Sequence, residues 1–219
     1  MDFENPAAWA NDFETFFAAF ARLFRRSETR TSAQLYVRGL LGNASRKNCW
    51  QLAESLGLPD PHPLQRVLNE AKWDADGVCQ QLRAMINEVM GYEPGIGVLD
   101  ESGVVKKGRK SAGVGPQYCG RVGKVENCQV GVYLGYVTPH GTAFLDRRLY
   151  VPAKWFDDRE RCRAAHIPDT VVFQTKPLLA QAMLAQAWAE QLPLHWVTGD
   201  TLYGNSPTLR DFIARANRY

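Results

Sequence analysis

The stretch "GIGVLDESG", residues 95–103, puts an acid at the close of a short apolar run. Ile96 to Leu99 suit a buried strand, and Asp100 ends it. Glu101, Ser102 and Gly103 then make a polar turn, and the basic run "KKGRK" follows at Lys106–Lys110. A second stretch, "LHWVTGD" at residues 194–200, repeats the pattern: an apolar strand that finishes on Asp200, then the turn "DTLYG". Between the two lie alternating segments at 127–138 and 142–151, joined by "PHG", a tight hairpin signal. Pro177 opens an Ala/Leu/Gln-rich helix over about 177–191, because proline is tolerated in a first helical turn. "SPTLRDFIARANR", 206–218, opens with Ser-Pro and reads as a last helix. Strand, hairpin, helix, strand and helix in that order predict an α/β sheet in which the strand near 196 runs parallel to the strand near 98.

That sheet would bring Asp100 and Asp200 together, since ligand sites of open α/β sheets gather at the carboxyl ends of strands. Two unpaired carboxylates side by side repel, and one would hold its proton. A divalent cation removes the conflict, and hard oxygen ligands suit Mg²⁺ or Mn²⁺. Two such ions would activate water and stabilise a leaving oxygen in phosphoryl transfer. Taken singly, each aspartate also fits a turn former or a helix cap.

Working outward, residues 1–90 change register. Trp9, Phe13, Phe16, Phe17, Phe20, Leu23 and Phe24 recur at three- and four-residue steps, which predicts one apolar helix face. "SRKNCWQLAESLGLPDPHPLQRVLNEAKWD", 45–74, reads as helix, break, helix, with Ser45 as cap, Gly57 as stop and Pro59, Pro61 and Pro63 enforcing the break. Two short helices of this kind suit a helix-turn-helix DNA reader and equally an ordinary helical bundle. Two parts are therefore expected: an all-α helical part over 1–90 and an α/β part over 91–219.

The 219 residues include 26 Lys/Arg and 23 Asp/Glu, a net of +3. The charge is uneven: residues 1–90 hold 10 basic and 11 acidic side chains (net −1), and residues 91–219 hold 16 and 12 (net +4). A basic second part favours a polyanionic partner. Five cysteines without a CxxC pair fit a reducing compartment, and the N-terminal "MDFENPAAWANDFETFF" has no basic leader. No apolar run approaches the ~20 residues of a membrane span, so a cytoplasmic protein is expected, with no membrane partner. The glycines at 103, 108, 113, 115, 120 and 123 form neither a Walker loop nor a GxGxxG fingerprint and read as turns. Cys119 and Cys128 read as buried thiols, His195 as structural, and Asp157, Asp158 and Glu160 as a solvated acidic loop.

The whole stretch 95–152, with "SAGVGPQYCGRVGKVENCQVGVYL" at its centre, together with "WVTGDTLYG" at 196–204, closely resembles the DDE superfamily transposases of bacterial insertion sequences, of the insertion-sequence 701 type. The resemblance covers residues 91–219 well and the helical part more loosely. It implies an RNase H-like (retroviral-integrase-like) α/β catalytic domain and a double-stranded DNA substrate at transposon ends. It also implies strand cleavage and transfer assisted by Mg²⁺ or Mn²⁺, with Asp100 and Asp200 as first and second acids. A nucleoid-associated location follows when DNA is bound, as a homodimer or together with full-length transposase. The family's third acid, usually Glu on a later helix, has no match here: Asp211 is the one acid after Asp200, and it lies on the helix directly following. The expectation is thus a front portion, an incomplete nuclease domain inactive on its own. A non-catalytic DNA-binding inhibitor of full-length transposase is the alternative, and a different RNase H-like nuclease that completes its site otherwise is a third. Lys106, Lys107, Arg109 and Lys110, with Lys124, Arg147 and Arg148, form the expected phosphate-contacting set, in a basic hairpin beside the metal-holding acid.

Overall fold

The computed structural model describes residues 6–91 and 93–219, with side chains from residue 8 onward. The backbone divides into two compact units, the first running to Gln81 and the second from Leu82 to Tyr219. The division falls inside one helix, Ala75–Met90.

The first unit holds α1 (Pro6–Ala18), α2 (Ser27–Leu41), α3 (Cys49–Ser55), α4 (His62–Asn69) and the first turns of α5 (Ala75–Met90). Phe17, Ala33 and Val67 form one small core with Phe13, Phe24 and Val37 around it. Leu52, Ala53 and Leu64 form another. Rings stack from Phe17 through Phe24 to Trp73, whose indole N–H donates to the Val67 carbonyl at 3.1 Å. The single apolar face expected for the first helix is divided: Phe17 and Phe20 are buried, but Trp9 and Phe16 are exposed. The cause is that α1 stops at Ala18 and a short turn at Ala21–Leu23 redirects the chain. The cap of α3 is Asn48, whose side chain accepts from the Gln51 amide at 3.0 Å, and not Ser45; asparagine caps as well as serine. Gly57 takes φ +68° just past the helix, a conformation that needs no Cβ.

The second unit is built on a mixed sheet of β1 (Gly95–Val105), β2 (Gly115–Cys119), β3 (Lys124–Thr138), β4 (Gly141–Tyr150) and β5 (Leu194–Gly199). Strand order is β4-β3-β1-β5, with β2 pairing the start of β3. β3 runs antiparallel to both of its neighbours, β1 and β4, and β5 runs parallel to β1, as the sequence order predicts. Even-numbered residues of β3 point into the core, where Val132, Leu134 and Tyr136 meet Leu99 of β1 and Ala180, Met183, Leu184 and Ala187 of α7 (Lys176–Ala189). This is why α7 can be so rich in alanine: small side chains let its axis lie close on the sheet. The opposite sheet face leaves Ile96, Phe144 and Trp196 exposed. Three short helices complete the unit: α6 (Arg159–Ala164), α8 (Thr201–Gly204) and α9 (Pro207–Arg215). Tyr219 bonds the outer edge of β5, donating to the His195 carbonyl at 3.1 Å and accepting from Val197 at 2.6 Å.

Two strands differ from expectation. β1 does not stop at Asp100 but continues to Val105, because Glu101–Val105 pair with Val132–Cys128 of β3. The glycine-rich segment read as turns contains β2, held by its ladder to 124–128. No described helix is long and apolar enough to cross a membrane.

Candidate active site

Leu99 and Gly199 form the last rung of the parallel ladder between β1 and β5. The next residue on each strand is an aspartate. Adjacent strands lie about 5 Å apart, and residues at equivalent register share a face, so Asp100 and Asp200 sit side by side on the exposed sheet face. Each has one oxygen fixed locally: Asp100 Oδ1 accepts the Glu101 amide at 2.8 Å, and Asp200 Oδ1 accepts the Leu202 amide at 2.9 Å as the cap of α8. Among the described residues neither Oδ2 has a protein partner. The helix-cap reading of Asp200 is therefore true of one oxygen and leaves the second available. Gly199 allows the approach: a Cβ there would stand 3.1 Å from Tyr203 Cβ and 3.2 Å from the Leu99 carbonyl.

Three residues that the sequence reading passed over surround this pair. Glu101 alternates to the opposite face from Asp100 and accepts from Lys176 Nζ at 2.7 Å and from the Tyr203 hydroxyl at 2.7 Å. Tyr203 is buried, and its phenol is pushed far above its ordinary pKa. Burial is the main cause, followed by the bond to Glu101 and the charges of Glu101, Asp100 and Asp200. Of these three carboxylates, Glu101 is the one bonded to the phenol. The adjacency of Glu101 to Asp100 was visible in the sequence; Lys176, 75 residues away in the chain, had no local signal.

The basic candidates separate. Lys106 lies six residues along an extended strand from Asp100, about 20 Å away, so the basic run does not sit beside the acid. It lies on the loop between β1 and β2, which is pinned from several sides. Asn127 Nδ2 donates to the Lys106 and Gly108 carbonyls at 2.6 and 3.0 Å, Gln129 donates to Ala112 at 2.6 Å, and Arg161 donates to Arg109 at 3.1 Å. The charged ends of Lys106, Lys107, Arg109 and Lys110 have no ion pair among the described residues. Lys124, at the far end of β3, pairs with Glu126 at 3.5 Å. Arg147 is in register with Tyr133, which is in register with Asp100, so it lies two strand spacings, about 10 Å, from the acid on the same face. Arg148 alternates to the core face, 3.2 Å from buried Asp146. Asp157, Asp158 and Glu160 are exposed, as expected, and Asp158 also caps α6 by accepting from the Arg161 amide at 2.9 Å. Cys119 and Cys128 are free, buried thiols, as expected.

The described residues contain no group of three His, Cys, Asp or Glu placed to hold a metal ion, so Asp211 does not join the pair. The two free carboxylate oxygens fit a hard divalent cation in donor type and fall short of it in number. Residues 19–218 match the family model described as DDE superfamily endonuclease. The chain belongs to the DDE superfamily endonucleases. That family implies an RNase H-like α/β fold, and the mixed sheet with parallel β1 and β5 agrees with it. The chain is also similar to a probable transposase for insertion sequence element IS701 from Microchaete diplosiphon, 29% identical over 173 residues. The match covers 77% of this DDE superfamily endonuclease chain and 41% of that relative's length. No solved structure matches.

Proposed function

We propose that residues 1–219 form part of a DDE transposase, with Asp100 and Asp200 as the first two acids of its strand-cleaving centre. The observation that carries this reading is the parallel register that sets the two aspartates side by side, each with one oxygen anchored and one free. Asp100 and Asp200 would hold Mg²⁺ or Mn²⁺, which supplies charge stabilisation at a phosphodiester and an activated water. The resemblance to the family calls for a third acid, and we assign it to residues outside 1–219. Two carboxylates alone hold a cation loosely.

The DNA is contacted in two places. Arg147, in the Asp100 row, is placed for the phosphate nearest the acids, while Lys106, Lys107, Arg109 and Lys110 hold the backbone about 20 Å further along the line of β1. The helical first unit, which runs to Gln81 rather than to the expected residue 90, has a DNA-binding role of its own. A cleft of about 800 Å³ there is lined by Arg25, Arg26, Arg66 and Lys72, beside Glu28 and Glu70. Those four cations have no ion pair among the described residues. α3 and α4 flank a six-residue break, Leu56–Pro61, longer than the usual three- to four-residue turn of a DNA reader. The first unit is therefore read as a backbone binder through its cleft.

The test is nicking of a labelled DNA end in Mn²⁺. Residues 1–219 alone are expected to bind the duplex and cut it no faster than background, and to cut when a segment bearing the third acid is supplied in trans. Cutting must then vanish in Asp100→Ala. Cutting indifferent to Asp100→Ala would remove the mechanism. Binding that persists while no supplied segment restores cutting would favour the second reading, a DNA-binding inhibitor that occupies element ends.

A further inference from the structure

We propose that Glu101, gripped by Lys176 and Tyr203, is a positioning residue that sets the spacing of Asp100 and Asp200. The inference rests on the two-acid reading above and adds to it residues outside the acid pair. Asp100 is fixed by its strand: β1 pairs with β3 on one side, in register with Tyr133. Asp200 has no such support. It follows the last rung of β5, an edge strand at that point, and opens a helix of four residues, of which Tyr203 is the buried one.

Beyond the Leu99–Gly199 rung, the side-chain tie from the Asp200 turn back to β1 is the hydroxyl of Tyr203, which donates to Glu101 Oε2 at 2.7 Å. Glu101 Oε1 accepts from Lys176 at 2.7 Å, and Lys176 is the first residue of α7. The link runs from α7 through Glu101 to α8, and each of the two acids is covalently next to, or one helical turn from, a member of it. Glu101 is not itself a candidate ligand. It points to the other face of β1, its side chain is only 20% exposed, and both oxygens are taken. The neighbours of a metal ligand often govern affinity in this way, and losing one typically costs about 10- to 100-fold.

The experiment measures Mn²⁺ affinity of the 219-residue chain by electron paramagnetic resonance of the free ion, with thermal midpoints as the check on folding. Tyr203→Phe removes one hydroxyl without changing charge and should weaken Mn²⁺ about tenfold. Lys176→Met gives a sharper sign. Removing a cation beside a cation site tightens binding if charge alone matters, whereas loss of the clamp weakens it. Lys176→Arg should stay within about threefold of the parent, since a guanidinium also grips a carboxylate. If Tyr203→Phe fails to fold, Lys176→Met decides alone. Either folded variant binding Mn²⁺ as well as the parent, or better, overturns the clamp. Failure of the underlying reading looks different: the parent binds no Mn²⁺, or Asp100→Ala binds it unchanged.

Discussion

Asp200 caps α8 with one oxygen and, in the proposed function, holds a cation with the other, and substitution can separate the two. Asparagine caps a helix as well as aspartate does but offers no second anionic oxygen. Asp200→Asn should therefore keep the parent's thermal midpoint and lose Mn²⁺ binding. Asp200→Ala should lose both, at a stability cost of about 1 kcal/mol for the missing cap. A calorimetric melt beside a Mn²⁺ titration reads the two effects separately. Asp211, exposed on α9, should be silent in both measurements when changed to alanine. At this scale the sequence was informative about which acids the sheet sets side by side, because strand-then-Asp recurs twice. It was silent on Lys176 and Tyr203, whose roles arise only when α7 and α8 meet β1.

At the scale of elements, the sheet was legible wherever alternation was clean. The even-numbered apolar residues of β3 and the "PHG" joint were readable because period two is a property of the strand itself. The second half of β1 was not. Asp, Glu, Ser and Gly are poor strand formers, and only the ladder to Val132–Cys128 overrides that preference. The same holds for an ion-pair group that no local pattern announces. Arg83 of α5 donates to Glu190 through Nε at 2.5 Å and Nη2 at 2.7 Å, and lies 3.9 Å from Asp146 of β4. All three sit in the second unit, with Arg83 and Asp146 buried. Arg83→Met takes the cation from Glu190, leaves buried Asp146 with Arg147 and Arg148 alone, and should destabilise the second unit by about 3 kcal/mol in urea unfolding. Glu190 is held below the ordinary carboxylate pKa, chiefly by the Arg83 hydrogen bond. A lowered folded pKa gives stability that is present above the unfolded value of 4.5 and drains away as pH falls through the folded one. Stability should thus decline below about pH 4.5, and Glu190→Gln should flatten that decline while lowering stability at neutral pH.

For the whole molecule, the proposed function joins a two-acid centre to DNA held by separated basic surfaces. Each phosphate contact releases counterions, so log Kd should rise with log salt by about 0.9 for every contact. Replacing Lys106, Lys107, Arg109 and Lys110 together by alanine should lower that slope by about 3 to 4 and weaken binding to all duplexes alike. An unchanged slope would return the run to an ordinary solvated loop. The central claim, however, is that two acids 100 residues apart in sequence make one cation site. Fe²⁺ occupies sites built for Mg²⁺ and Mn²⁺ and, with ascorbate and peroxide, cuts the polypeptide beside it. Mapping those cuts by mass spectrometry tests the claim directly. The account predicts two clusters of cuts, one in β1 near residue 100 and one at the end of β5 near residue 200, both suppressed by excess Mn²⁺ and both absent from Asp100→Ala. Cuts near residue 200 that survive Asp100→Ala, or a dominant cluster elsewhere in the chain, would contradict it.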